Sequence, residues 1–139
     1  MPARLARLPK TQLGYPALFF AVVIDGEPDI RRVSATKFHR CVNEKLCWLC
    51  GEPLDELVTF VVTKEMAKLG KWFEPPCHRE CAEYAMAVCP FILNPDRRYR
   101  NGVRCPGDYE LYTTSSYQCS PLRNSYPAGI MTLGPRVTS

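Results

Sequence analysis

Cys47-Trp48-Leu49-Cys50-Gly51, joined by residues 52–77 to His78-Arg79-Glu80-Cys81, decides how this chain folds. The first pair is C-x2-C on a tight turn. The second is a histidine and a cysteine one helical turn apart. Together they offer four soft donors, which suit tetrahedral Zn²⁺, with Zn–S near about 2.3 Å and Zn–N near about 2.0–2.1 Å. Gly51 can take the left-handed conformation that closes the turn and lets backbone N–H groups face the sulfurs. On a helix, residues i and i+3 share a face, so His78 and Cys81 can reach one ion. Cys77 leaves an alternative open, because Cys77-x3-Cys81 is also compatible with a four-cysteine site. The x2 spacing of His78 and Cys81 at a helix start favours Cys47, Cys50, His78 and Cys81.

Between and beyond the pairs, hydrophobic periodicity predicts the surrounding elements. Leu57–Val62 reads as a strand, with Lys71-Trp72-Phe73 as its short hairpin partner around a turn at Gly70. Pro75-Pro76 stops that strand. His78 to Cys89 reads as a helix whose inner stripe is His78, Cys81, Ala82, Ala85, Met86 and Cys89, ended by Pro90. Knuckle, hairpin and ligand-bearing helix, in that order, resemble a treble-clef zinc module. Upstream, residues 17–24 form a β-prone run and residues 29–33 a candidate return strand. Ser34 reads as the N-cap of a helix that buries Phe38, Cys41, Val42 and Leu46. The expected architecture is therefore α+β: a treble-clef-like zinc module behind a strand-hairpin-helix unit, with a mostly irregular C-terminal tail. Residues 1–14 read as a basic, weakly ordered arm and 15–95 as one zinc-stabilised domain. Residues 96–139 read as a basic loop, a candidate edge strand at Tyr109–Thr114 and an extended tail.

The 139 residues and 46% apolar content fit one small domain with a modest core. No apolar run reaches the roughly 20 residues a membrane helix needs. Arg4, Arg7 and Lys10 before the apolar run loosely imitate a signal peptide. Pro16 opens that run, however, no small-x-small cleavage site follows, and Asp25-Gly26 reads as a turn. A cytoplasmic, reducing home is expected, where clustered cysteines among the eight point to metal rather than disulfides. Cys41 and Cys89 lie on apolar stripes and read as core. A second site from His39, Cys41, Cys105 and Cys119 matches no specific ligand spacing.

Charge is uneven. Residues 1–40 carry seven basic and three acidic residues, 41–89 five and eight, and 90–139 six and three, for a net +4. The acidic middle holds the cysteine motif. Arg97, Arg98, Arg100 and Arg104, with Tyr99 among them, form a basic patch after the zinc helix. Arginine pairs with phosphate and Tyr99 can stack on a base, so nucleic acid is the expected contact. The same stretch also reads as a solvated loop that keeps the chain soluble.

Leu46-Cys-Trp-Leu-Cys-Gly-Glu-Pro-Leu54 and Pro75-Pro-Cys-His-Arg-Glu-Cys-Ala-Glu-Tyr-Ala85, with Cys89-Pro-Phe91 after them, resemble a group of phage and prophage proteins. That group shares a CWxCGEPL knuckle and a PPxHRxCAxYAxxxCPF helix, and the likeness covers roughly residues 15–95. At the position of Cys77 the group typically lacks cysteine, which implies His78 as the ligand. Lys64–Lys71 departs from the group's usual turn. The resemblance implies metal binding and a phage origin, and carries no activity.

Four protein donors leave no open position for a reacting molecule, so the zinc is expected to be structural and the chain no enzyme. An HNH-like nuclease needs a histidine in the hairpin, and residues 54–73 contain none. A non-enzymatic binding module follows. The alternatives are a protein-interaction module acting on a host factor, through strand addition, and a degenerate HNH-like nuclease relative.

Overall fold

The computed structural model describes residues 1–11, 14, 16–24, 27–88, 108–122 and 129–137. The Asp25-Gly26 turn, Cys89, Cys105 and the patch Arg97–Arg104 with Tyr99 lie outside the described residues.

Eleven elements are described: α1 (Ala3–Ala6), β1 (Ala21–Ile24), β2 (Glu27–Val33), α2 (Ala35–Glu44), β3 (Val58–Thr63), α3 (Lys64–Leu69), β4 (Lys71–Trp72), α4 (Arg79–Val88), β5 (Tyr109–Thr114), β6 (Tyr117–Pro121) and β7 (Gly129–Leu133). Among the described residues the fold is α+β, with short helices and three small antiparallel sheets: β1-β2, β3-β5 and β4-β7-β6.

Local chemistry sets the boundaries. Ser34 caps α2, its side chain accepting from the Lys37 N–H at 3.3 Å, as its position before the apolar stripe predicts. α2 buries Phe38 and Cys41 and ends on Lys45, which takes the left-handed conformation at φ 55°. That turn sends the chain straight into the cysteine knuckle. β1 is shorter than the apolar run suggests. Residues 17–20 leave strand geometry because they dock on the knuckle: the Phe19 N–H donates to the Leu49 carbonyl at 2.9 Å, and the Phe20 ring stacks on Trp48 at 5.1 Å.

The hairpin expected between the two ligand pairs does not form. Thr63 caps a helix instead, its hydroxyl accepting from the Met66 N–H at 3.3 Å, and Gly70 closes that helix at φ 67°. Lys-Glu-Met-Ala-Lys-Leu contains good helix formers, so α3 separates the two strands. β3 then pairs with β5, from Val58↔Thr114 to Thr63↔Tyr109, and β4 pairs with β7. The reason is burial. Phe60 and Val62 are fully buried, and Val58, Thr59 and Thr63 nearly so, which demands a longer partner than the two-residue β4.

Two terminal expectations are also corrected. Residues 1–14 are not a loose arm over the part described, since Leu5 of α1 is fully buried and Arg4 and Arg7 are ion-paired. Nor is the end of the chain simply an extended tail. β7 is the central strand of its sheet, with Met131 fully buried, and Val137 N–H donates to the Thr113 carbonyl at 2.7 Å. Edge-on aromatic contacts, Phe38–Trp48 at 5.8 Å and Phe60–Tyr117 at 5.6 Å, fill the core. No helix among the described residues is long and apolar enough to cross a membrane.

Candidate metal centre

The knuckle is a small backbone loop closed at its mouth by the Leu46↔Pro53 bridge. Within it the Cys47 N–H donates to the Glu52 carbonyl at 2.8 Å, and the Gly51 N–H donates to the Cys47 carbonyl at 2.9 Å. Gly51 sits at φ +76°, and a Cβ there would stand 2.5 Å from Phe19 Cδ1. Glycine is thus required twice, for conformation and for space. The loop aims N–H groups at both sulfurs: Cys50 N–H donates to Cys47 Sγ and Glu52 N–H to Cys50 Sγ, each at 3.4 Å. These are the donors that stabilise a thiolate.

The second pair arrives from the start of α4. Cys77 is bridged to Thr59 of β3 by two backbone hydrogen bonds of 2.7 and 2.9 Å, and the Trp48 N–H donates to the Pro76 carbonyl at 3.1 Å. These bonds clamp the helix start against the knuckle. Ligand atoms of Cys47, Cys50, His78 and Cys81 all lie within 4.8 Å of one another. None of the four residues exceeds 4% exposure, so the centre is sealed from solvent. Among the described residues they form the one such group, and Cys77 is not part of it.

The imidazole is oriented by its neighbours. His78 Nδ1 is 3.4 Å from Cys50 Sγ and 4.0 Å from Cys81 Sγ, while Nε2 lies 2.8 Å from the Pro53 carbonyl oxygen. A carbonyl only accepts, so Nε2 carries a proton, and Nδ1 is the ring nitrogen that faces the sulfurs. A ring held this way by an outer hydrogen bond on Nε2 is oriented to offer Nδ1 to a metal.

The sulfurs compete for negative charge. Hydrogen bonds from Cys50, then Cys77 and Cys81, hold the Cys47 thiol far below its ordinary range. Cys50, bound to Cys47, is pushed up to about 11, and Cys81 is raised by Cys47 and Cys50. His78 is raised by its hydrogen bond to Cys47. The donor set therefore stabilises one thiolate by itself and opposes the next. A divalent cation at the centre reverses that opposition, and the donor set fits one.

Of the other cysteines, Cys41 is fully buried. Its thiol donates to the Cys47 carbonyl at 3.9 Å and is pushed up to about 12, chiefly by burial. Cys77 is raised by its bond to Cys47 and by burial. His39 is exposed on α2, and His39, Cys41 and Cys119 are not brought together as a second group.

Residue patterns alone did not mark the Pro53 carbonyl, Glu52 or Arg4. Arg4 Nε donates to Glu80 Oε1 at 2.8 Å, and Arg7 Nη2 pairs with Glu52 Oε1 at 2.9 Å. The available signal was charge, a basic residues 1–40 ahead of an acidic 41–89. Set against known proteins, the chain matches no protein family, no curated protein and no solved structure.

Proposed function

We propose that this chain is a non-catalytic binding module whose fold is held by one structural Zn²⁺ on Cys47, Cys50, His78 and Cys81. One observation carries the reading: three sulfurs and a correctly oriented imidazole nitrogen converge, all buried. A tetrahedral zinc shell separates sulfur from nitrogen by about 3.6 Å, from the usual bond lengths. The 3.4 and 4.0 Å separations bracket that value. Four protein donors close the shell, which favours a structural role over hydrolysis or HNH-type cleavage. The arrangement is treble-clef-like in that a knuckle supplies one pair and a helix start the other. Zinc in such small modules contributes on the order of 10 kcal/mol to folding at neutral pH.

The test is metal analysis of purified, unchelated protein, followed by chelation during circular dichroism. One zinc per chain and loss of structure on chelation are expected. A metal-free preparation with an intact fold would refute the reading.

We take the bound partner to be nucleic acid, on the charge of Arg97, Arg98, Arg100 and Arg104 and the ring of Tyr99. Anisotropy titration against labelled DNA and RNA at rising salt tests it. Binding that weakens steeply with salt supports the assignment, and no salt-dependent binding near about 100 mM removes it. The alternative, a protein-interaction module, draws on β6, which among the described residues pairs only with β7 and so leaves an edge for strand addition.

A further inference from the structure

The two ligand pairs lie on separate segments, and a loaded centre must keep those segments together. Three thiolates and a neutral imidazole around a divalent ion carry net charge −1. Glu52 and Asp55 beside the knuckle, and Glu80 between His78 and Cys81, add three more negative charges. Repulsion among these groups favours separation of the halves.

Arg4 stands among these three acids. Its Nε donates to Glu80 Oε1 at 2.8 Å, Nη1 lies 3.5 Å from Glu52 Oε1, and Nη2 lies 4.0 Å from Asp55 Oδ2. Glu80 belongs to the α4 side of the centre. Glu52 and Asp55 belong to the knuckle side, and the Glu52 N–H itself donates to the Cys50 sulfur. One guanidinium therefore ties both ligand-bearing segments. Burial of the adjacent Leu5 holds α1 in place, and the Arg4 side chain keeps 28% of its exposure. Among the described residues Arg7 pairs with Glu52 and with no acid on the α4 side, and so binds one side without bridging.

We infer that Arg4 is a positioning residue for the metal centre: it straps the knuckle to the ligand-bearing helix and slows escape of the ion. The inference rests on the zinc reading above. Because the ligands are sealed from solvent, the ion leaves only when the segments part, and the strap acts on that opening step. Its pairs are partly exposed, so the effect is moderate and sensitive to salt.

The experiment follows transfer of zinc from the loaded full chain to excess EDTA, at about 20 mM and about 500 mM salt, which span strong and weak screening. Arg4→Ala is expected to release zinc about threefold to tenfold faster than wild type at low salt, the scale of a few weak pairs acting together. Arg7→Ala is expected to change the rate less. Raising salt should speed release from wild type, and should slow it or leave it unchanged in Arg4→Ala, where only the repulsion among the acids remains to be screened. The exchange Arg4→Glu with Glu80→Arg should recover part of the retention that Arg4→Glu loses. Equal low-salt rates for Arg4→Ala and wild type overturn the inference, as does an equal salt response. If Arg4→Ala fails to fold, release from wild type that ignores salt overturns it too. A wild-type chain that takes up no zinc refutes both this inference and the reading beneath it. A wild-type chain that holds zinc, with rates unmoved by Arg4, refutes this inference alone.

Discussion

Replacing Gly51 by alanine separates two costs that the knuckle places on one residue. The first is conformational: at φ +76° an L-residue loses about 1–2 kcal/mol relative to right-handed geometry. The second is steric. The new methyl would lie 2.5 Å from Phe19 Cδ1 and 2.9 Å from Cγ, so the ring or the loop must move. Overpacking of this kind costs about 1–3 kcal/mol. Gly51→Ala is therefore expected to destabilise by about 2–5 kcal/mol in total. Gly70 supplies the internal control. It has a similar φ of +67°, but a Cβ there meets nothing closer than Leu133 O at 4.0 Å, so Gly70→Ala should show only the first cost. Urea unfolding of the zinc-saturated proteins measures both. A cycle with Phe19→Ala then isolates the steric part, because removing the ring should relieve Gly51→Ala and leave Gly70→Ala unaffected. Equal losses at the two glycines, or no coupling between Gly51 and Phe19, would refute the account of the knuckle given above.

Three further outcomes are expected. Loading the apoprotein at neutral pH should release about two protons or more per ion, because Cys50 and Cys81 are protonated there both as free thiols and in the folded arrangement, which raises them further, and must ionise to bind; retention should weaken as pH falls. Release of less than one proton in a weakly buffered indicator assay would contradict this. Cys77→Ala should keep one zinc per chain, whereas His78→Ala should lose tight binding, and competition against a chromophoric chelator distinguishes them. Glu74→Gln should gain stability over wild type as pH rises from 5 to 8. Burial holds the Glu74 carboxyl above its ordinary range, while the Trp48 indole N–H, donating to Oε2 at 3.1 Å, pulls the other way. A carboxyl raised on folding contributes most below its unfolded pKa, and that contribution is lost as pH climbs through the folded value. Glutamine keeps the acceptor without the charge, so urea midpoints that differ equally at both pH values would count against this.

Residues acting over short range were readable. Ser34 as a cap, the helix carrying Cys81 and Ala82 inward, and the two ligand pairs depend on spacings of two to four residues, and each has its own local geometry. Strand pairing was not readable in the same way. Val58 meets Thr114 and Trp72 meets Met131 because β3 and β4 need buried neighbours, and no turn signal links those partners. α3 was hidden by the preference for a hairpin, although Thr63 and Gly70 stood at its two ends. β7 was obscured by the Ser/Pro/Gly-rich composition around it, even though Ile130-Met131-Thr132-Leu133 is itself strand-like. Outer contacts of the metal centre, such as Pro53 O to His78, involve backbone atoms whose direction no residue letter encodes.

The pairing of β3 with β5 sets an order on biosynthesis. The ligand set is complete once Cys81 has left the ribosome, but β3 receives its neighbour only with residues 109–114 and β4 only with 129–133. If the proposed centre loads at that stage, a nascent chain holds its ion while a strand that includes the buried Phe60 and Val62 still lacks its β5 partner. Long-range closure of that kind is slow, and the waiting edge is the surface most prone to self-association. Metal loading at the proposed centre would join the two ligand pairs without shielding that edge, so expression yield should depend on how quickly the last third of the chain follows.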